Sequence, residues 1–248
     1  MAHKDGVAAV DRALSLLEAF DDGVGALSLA ELAARTGLVK STVLRLAASL
    51  ERASFLQRRD DGAFRLGPAL VRLGARYQAV FGLRDHVMPV LERLAAETGE
   101  SASFYVRDGD VRVCLHRVHS MQHQLLHFVQ IGRQFAYDTG ASGRVIAAFT
   151  DPDGDAELRR RLVARSVRDR TILQSAAVAA PAFEAAGAFV GAVSLAGPSV
   201  RFTDTALPRL EEAVLGAAAE VTRSLGGPSE RFELALPARA GVTEPAGR

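Results

Sequence analysis

Apolar residues recur at helical spacing from Val7 to Phe20, at Val7, Val10, Leu14 and Leu17 with Leu16 and Phe20 beside them. This predicts an amphipathic first helix, ended by Asp21-Asp22-Gly23. Ser28 stands before Leu29, and Glu31 follows three residues later, a serine-x-x-glutamate box that opens a helix with Leu29, Leu32 and Ala33 on one face. Thr36-Gly37 ends it, because glycine tolerates the left-handed geometry of a tight turn. A second helix is predicted from about Val39 to Ala53. It buries Val43, Leu46, Ala47 and Leu50 and leaves Lys40, Ser41, Thr42 and Arg45 free. Two short alternating runs, Phe55–Arg59 and Ala63–Leu66, flank Asp60-Asp61-Gly62, a hairpin signal. Helix, turn, helix and ribbon together make a winged helix-turn-helix, an arrangement that sets side chains in a DNA major groove.

Gly67-Pro68 starts a further helix lined by Ala69, Leu70, Leu73, Tyr77, Val80 and Phe81, read as a linker whose apolar side faces a partner chain. After Gly82 comes an amphipathic helix from Arg84 to Thr98. The period then falls to two. Ala102–Arg107 and Val111–Val118 flank Asp108-Gly109-Asp110, and Gln124–Ile131 is a third strand candidate. Gly140-Ala141-Ser142-Gly143 precedes a short helix from Arg144 to Phe149. Residues Ala156–Arg170 are arginine-rich and read as an exposed helix and loop. Strands follow at Ala176–Phe183 and Ala188–Ala196. A last helix runs from Thr205 to Leu225, with Thr203-Asp204 as its cap. The expected fold is α+β in two domains: a winged helix-turn-helix over 1–66, a linker helix over 67–83, an antiparallel-sheet domain over 84–226 and a disordered tail over 227–248.

Net charge is only +1, but it is unevenly placed: residues 1–34 hold two basic and six acidic side chains, residues 35–76 nine basic and three acidic. A basic block on the helix-turn-helix is what a phosphate-binding surface requires, although a solvated charged face has the same composition. With Cys114 alone, no intrachain disulfide and no CxxC metal site is available. No stretch approaches the roughly 20 apolar residues of a membrane helix, and the first residues are too polar for a signal peptide. The expected location is therefore cytoplasmic. His116, His119, His123 and His127 cluster, with Cys114 on the same strand face as His116, but no carboxylate joins them and no metal or other cofactor is expected. Catalysis has no support either: there is no phosphate-cradling GxxxxGK[ST], and GASGR lacks the spacing of a G-x-S-x-G elbow.

The strings VDRALSLLEAF, LSLAELAARTGLVKSTVLRLAASLERASFLQRRDDGAFRLG, LERLAAETGESASFYVRDGD and VGAVSLAGPSVRFTD resemble the IclR family of bacterial transcriptional regulators, over about residues 7–225. The resemblance implies a C-terminal domain similar to the GAF fold, a small-molecule effector within it, and dimers or pairs of dimers on double-stranded operator DNA. Two departures stand out. Arg144 replaces the lysine of the family's T-A-x-G-K-A-like string, and the segment between Phe149 and Ala176 is short and arginine-rich. They imply a pocket lacking part of its usual wall.

For DNA, Ser41, Thr42 and Arg45 are the expected readers of base edges, since arginine can bond guanine in a bidentate way. Lys40 lies at a helix N-terminus suited to phosphate, and Arg35, Arg58, Arg59 and Arg65 would position the protein on the backbone. Ser41 and Thr42 acting only as helix caps is the plainer account. For the effector, the resemblance assigns Gly140, Ala141, Ser142, Ala177 and Ser194, with helix-start amides for a carboxylate and Ser194 as a donor to the same group. Ala177 and Ala196 stand where some members carry a polar donor or thiol, which points to a more apolar ligand, or to none; the ligand expected of such a regulator is an aromatic or carboxylate-bearing metabolite. Ser194 as an ordinary satisfied strand serine is equally compatible. The alternatives are a ligand-independent regulator with a degenerate pocket, and a GAF-like sensor or enzyme whose helix-turn-helix does not read DNA.

Overall fold

The computed structural model describes residues 6–20, 24–120, 129–167, 174–233 and 235, and within the linker helix only the backbone at 75 and 77–81. The chain divides into two compact units, Met1–Phe81 and Gly82–Arg248.

In the first unit α1 spans Ala8–Glu18, α2 Leu29–Thr36 and α3 Lys40–Arg52, followed by β1 Leu56–Arg58, β2 Phe64–Leu66 and α4 Pro68–Phe81. The serine-glutamate box forms as the sequence predicts: Ser28 Oγ accepts from the Glu31 amide, and the Glu31 carboxylate accepts from the Ser28 amide. These bonds hold the Glu31 carboxyl below its ordinary pKa and satisfy two amides that have no partner within the helix. Gly37 closes α2 at φ 67°, in the left-handed region. Leu16, Phe20, Leu27, Leu32, Val43, Ala47, Leu56 and Phe64 form the core of this unit. The ribbon gains a third rung that the sequence did not announce. Leu27 and Phe64 exchange both backbone hydrogen bonds, so the wing is tied to the segment leading into α2. Gly67 sits so close to the Ser54 carbonyl that a Cβ would lie 2.2 Å from its oxygen, which explains a glycine where the wing runs into α4.

The second unit holds α5 (Leu83–Thr98), β3 (Ser101–Asp108), β4 (Val111–Val118), β5 (Gln134–Ala136), α6 (Gly140–Thr150), α7 (Ala156–Arg161), β6 (Ala164–Ser166), β7 (Ser175–Phe183), β8 (Phe189–Pro198) and α8 (Leu207–Ser224). The strands form one antiparallel sheet in the order β5-β4-β3-β8-β7-β6. α5 and α8 pack on one face around Phe104, Phe183, Leu195 and Phe202. α6 packs on the other around Tyr105, Cys114, Val145 and Ala192. Because both faces are covered, β7 and β8 are apolar on consecutive positions and do not alternate. This is the expected α+β architecture, a winged helix-turn-helix and an antiparallel sheet with helices. No helix among the described residues is long and apolar enough to cross a membrane.

Several local expectations change. The glycine-rich string does not precede α6 but forms its first turn, with Thr139 as N-cap. Gly143 is required there by packing, since a Cβ would lie 2.7 Å from the Asp138 carbonyl carbon. The arginine-rich segment yields a short helix and then an edge strand, β6, paired with β7. Past Gly226 the chain is not a free tail at first: Ser229–Phe232 makes a 3-10 turn, and Phe232 is fully buried 6.2 Å from the Phe183 ring. The last helix has Ala206 as its N-cap, although Thr203 Oγ1 still accepts from the Ala206 amide. Most of the Gln124–Ile131 strand candidate falls outside the described residues, and the described strand after it is β5.

Candidate nucleic-acid interface and effector cavity

α3 begins at Lys40, and its N-cap Val39 offers no side-chain bond to the first amides. Ser41 and Thr42 therefore do not cap the helix, which removes the plainer account of them. Lys40, Ser41, Leu44 and Arg45 lie exposed along the outer side of α3, and Thr42 is half-buried. Among the described residues, the side chains of Lys40 and Arg45 make no hydrogen bond or ion pair, whereas Arg52 donates to Ser49. Arg35 has an intramolecular role: its guanidinium donates to the Ala19 carbonyl at 2.9 Å, linking α2 to the end of α1. In the wing, Arg58 lies over the Phe64 ring at 5.4 Å, Arg59 pairs with Asp61 at 3.2 Å, and Arg65 donates to Gln57 at 3.0 Å. The Arg59–Asp61 pair is exposed and screened, so it holds its arginine loosely enough to be exchanged for a phosphate. Sequence reasoning passed over Val39 and Leu44, apolar yet 68% and 39% exposed beside Ser41 and Arg45. Apolar side chains on a reading face can meet the methyl group of thymine; their signal was an apolar position on an otherwise polar side.

In the second unit Gly140, Ala141, Ser142, Ala177 and Ser194 come together, all lining one cavity of about 150 Å³ between the sheet and the start of α6. Ser194 does not act as the expected donor: its hydroxyl donates to the Val178 carbonyl at 3.1 Å, leaving only its lone pairs for a ligand. The same cavity is lined by three large side chains that the sequence did not single out, Tyr105, Arg112 and Phe135. Arg112 is only 8% exposed. It donates to the Ala136 carbonyl and, at 3.1 Å, to Thr139 Oγ1, and lies 4.7 Å from the centre of the Phe135 ring. Its buried Nε has no partner. Burial pushes the Arg112 pKa down and pushes the Tyr105 hydroxyl up to about 12, so Tyr105 stays a neutral donor.

The histidines behave differently from expectation. β4 carries a bulge: Tyr105 pairs with Cys114 but Phe104 with His116, so Leu115 is the extra residue. Cys114 therefore faces α6, while the His116 side chain lies on the opposite face with Phe104; the Cys114 thiol meets only the His116 carbonyl, donating to it at 3.7 Å. His123 and His127 lie outside the described residues. Among the described residues no group of three or more potential ligands is placed to hold a metal ion.

His116 is 1% exposed with neither nitrogen hydrogen-bonded, and burial, reinforced by the Arg84 charge on α5, lowers its pKa. The unfolded chain then takes up the proton first as pH falls, so stability is full above the ordinary histidine value of about 6.5 and declines below it. We expect the urea midpoint of the second unit to fall between about pH 7.5 and about pH 5.5 by more in the wild type than in His116→Leu. Equal acid losses would refute the assignment; His119, whose pKa is also lowered by burial, sets the residual slope.

The chain matches a family model for the IclR helix-turn-helix domain over residues 9–60 and one for the bacterial transcriptional regulator IclR C-terminal region over residues 75–176. It is similar to the transcriptional regulator KipR of Bacillus subtilis, 29% identical over 229 residues that cover 81% of this chain and 90% of that protein. Among solved structures, an IclR transcriptional regulator from a Silicibacter species superposes with a TM-score of 0.76 at 25% identity, covering 89% of this chain and 97% of the other. An IclR homologue of Microbacterium hydrocarbonoxydans, solved with 4-hydroxybenzoate, shares the fold at a TM-score of 0.71 and 19% identity, covering 88% and 100%. The chain belongs to the IclR family of bacterial transcriptional regulators, with a DNA-binding helix-turn-helix at its N-terminal end.

Proposed function

We propose that this regulator reads operator DNA with the outer side of α3, and that a small organic molecule in the cavity at the start of α6 sets its affinity. The observation that carries the effector half is the convergence of Gly140, Ala141, Ser142, Ala177 and Ser194 on one cavity. The relative solved with 4-hydroxybenzoate supports an occupant of that size. Ser41, Thr42 and Arg45 contact bases; Lys40 and the wing residues Arg58, Arg59 and Arg65 contact phosphates, and Arg35 chiefly braces α1. The active species is a homodimer or a pair of dimers, because paired heads are needed for two half-sites. Val7 at the N-cap of α1, Val10 and Leu14 on α1 (67%, 53% and 50% exposed) and Val71 on α4 (75%) offer apolar surface for such pairing. Ligand then acts by favouring one spacing of the two heads.

A gel-shift titration against the DNA upstream of the protein's own gene is expected to show sequence-preferring binding that weakens steeply with salt. Binding without sequence preference would refute operator reading. Preference that no small acid, amide or alcohol alters would refute effector control.

A further inference from the structure

A leucine stands exposed in the middle of the outer side of α3. Single apolar side chains on a protein surface are common and by themselves need no explanation. Leu44 is set apart by its neighbours. With about 3.6 residues per turn, it shares one side of α3 with Lys40, Ser41, Arg45 and Ala48, all exposed, while Val43 and Ala47 are fully buried on the other. The core of the first unit closes without it: Leu44 belongs neither to that core nor to the side chains packed against it. Ala48 and Ser49, further along the exposed side, are small, so the helix can lie close to a groove floor. The surroundings also say what can cover the leucine. Arg35, Lys40 and Arg45 fall between Leu32 and Leu50, where no acidic residue occurs. An apolar protein surface laid over this side would bury Lys40 and Arg45 without counter-charges. The DNA major groove supplies phosphates for them and one apolar group, the C5-methyl of thymine.

We infer that Leu44 is a base-reading residue: it packs on the C5-methyl of a thymine in each half-site, beside the guanine that Arg45 bonds. Leu44 and Arg45 are consecutive, so they differ by only about 1.5 Å along the helix, less than the roughly 3.4 Å between base pairs. The thymine therefore falls within about two base pairs of that guanine. Methyl packing separates thymine from cytosine, which carries only hydrogen at C5. The hydroxyls of Ser41 and Thr42 make that distinction poorly, because each both donates and accepts. The inference rests on α3 reading the operator, but it makes a separate demand: a methyl group must carry affinity when no hydrogen bond changes.

The test uses the full chain and a duplex selected from a random pool, with each thymine replaced singly by deoxyuridine. This deletes the methyl group and keeps every base-pair hydrogen bond. Binding is followed by fluorescence anisotropy for the wild type, Leu44→Ala and Leu44→Gln. At least one replacement, close to a guanine that Arg45→Ala no longer discriminates, is expected to weaken wild-type binding about three- to tenfold, the scale of one or two buried carbon groups. Leu44→Ala should bind the unmodified duplex more weakly by a similar factor and should not distinguish thymine from deoxyuridine at that position. A leucine serving only the fold, or a contact between copies of the chain, would change the melting temperature or the oligomeric state and leave the methyl effect as it is in the wild type. A duplex in which no thymine methyl matters, a methyl effect that survives intact in Leu44→Ala, or one confined to base pairs remote from the Arg45 guanine would each overturn the inference. If Leu44→Ala does not fold, Leu44→Gln supplies the same comparison. Sequence-preferring binding without a methyl-sensitive thymine would sink the role of Leu44 alone; binding without sequence preference would sink operator reading with it.

Discussion

Phe64→Ala is expected to abolish operator binding at 37 °C although no residue facing DNA is altered. The side chain is 1% exposed in the core of the first unit, and its backbone forms the rung with Leu27 that fixes the wing. Truncating a buried phenylalanine costs about 3–5 kcal/mol, from the transfer energy forfeited and the cavity left behind. A unit of 81 residues holds only about 4–12 kcal/mol at 0.05–0.15 kcal/mol per residue. The loss is therefore a large share of the total. The ring also supports Arg58 by its stacking contact, so the wing's basic surface is released as well. Phe64→Leu, which retains most of the buried volume, should bind DNA with a lowered melting temperature. Limited proteolysis is expected to cut the alanine variant within residues 6–66 while leaving the second unit intact. Wild-type operator affinity for Phe64→Ala at 37 °C would refute this account.

The same core shows why the first unit was legible in the sequence. Ser28, Glu31, Gly37 and the Asp60-Asp61-Gly62 turn act within a few residues of themselves, and each placed its element correctly. What escaped was non-local. Nothing near Phe64 announces the pairing with Leu27, which depends on the path of α2 and α3. In the second unit the central strands β7 and β8 are covered on both sides, so alternation loses its meaning there. An arginine in a strand ordinarily marks a solvent face, yet Arg112 on β4 is buried and lines a cavity. The bulge at Leu115 is one unpaired residue, invisible in composition, and it moves His116 to the face opposite Cys114. β6 was hidden because Arg165, between Ala164 and Ser166, sits in an arginine-rich run. Phe232 lies in a polar context and is held by Phe183, which is far away in sequence. The five effector positions came from family resemblance, and their convergence is geometric. The three large side chains that shape the cavity needed the fold.

Arg45→Ala is expected to lower affinity for a preferred operator about ten- to a hundredfold and to leave binding to unrelated duplexes nearly unchanged. Arg45 lies one turn into α3, exposed, and its guanidinium has no intramolecular bond among the described residues. Its fork is therefore free to bond guanine O6 and N7, an interaction worth about 1–3 kcal/mol of discrimination. The wing behaves oppositely. Replacing Arg58, Arg59 or Arg65 with alanine should weaken binding to all sequences alike, and removing one phosphate-neutralising charge should reduce the salt slope by about 1. Duplexes selected from a random pool supply the preferred site, and titrations at several salt concentrations separate the two effects. A wing variant that relaxes base preference would reverse the assignment of roles. So would an Arg45→Ala variant whose affinity falls equally on every duplex, because the backbone would then be what Arg45 holds.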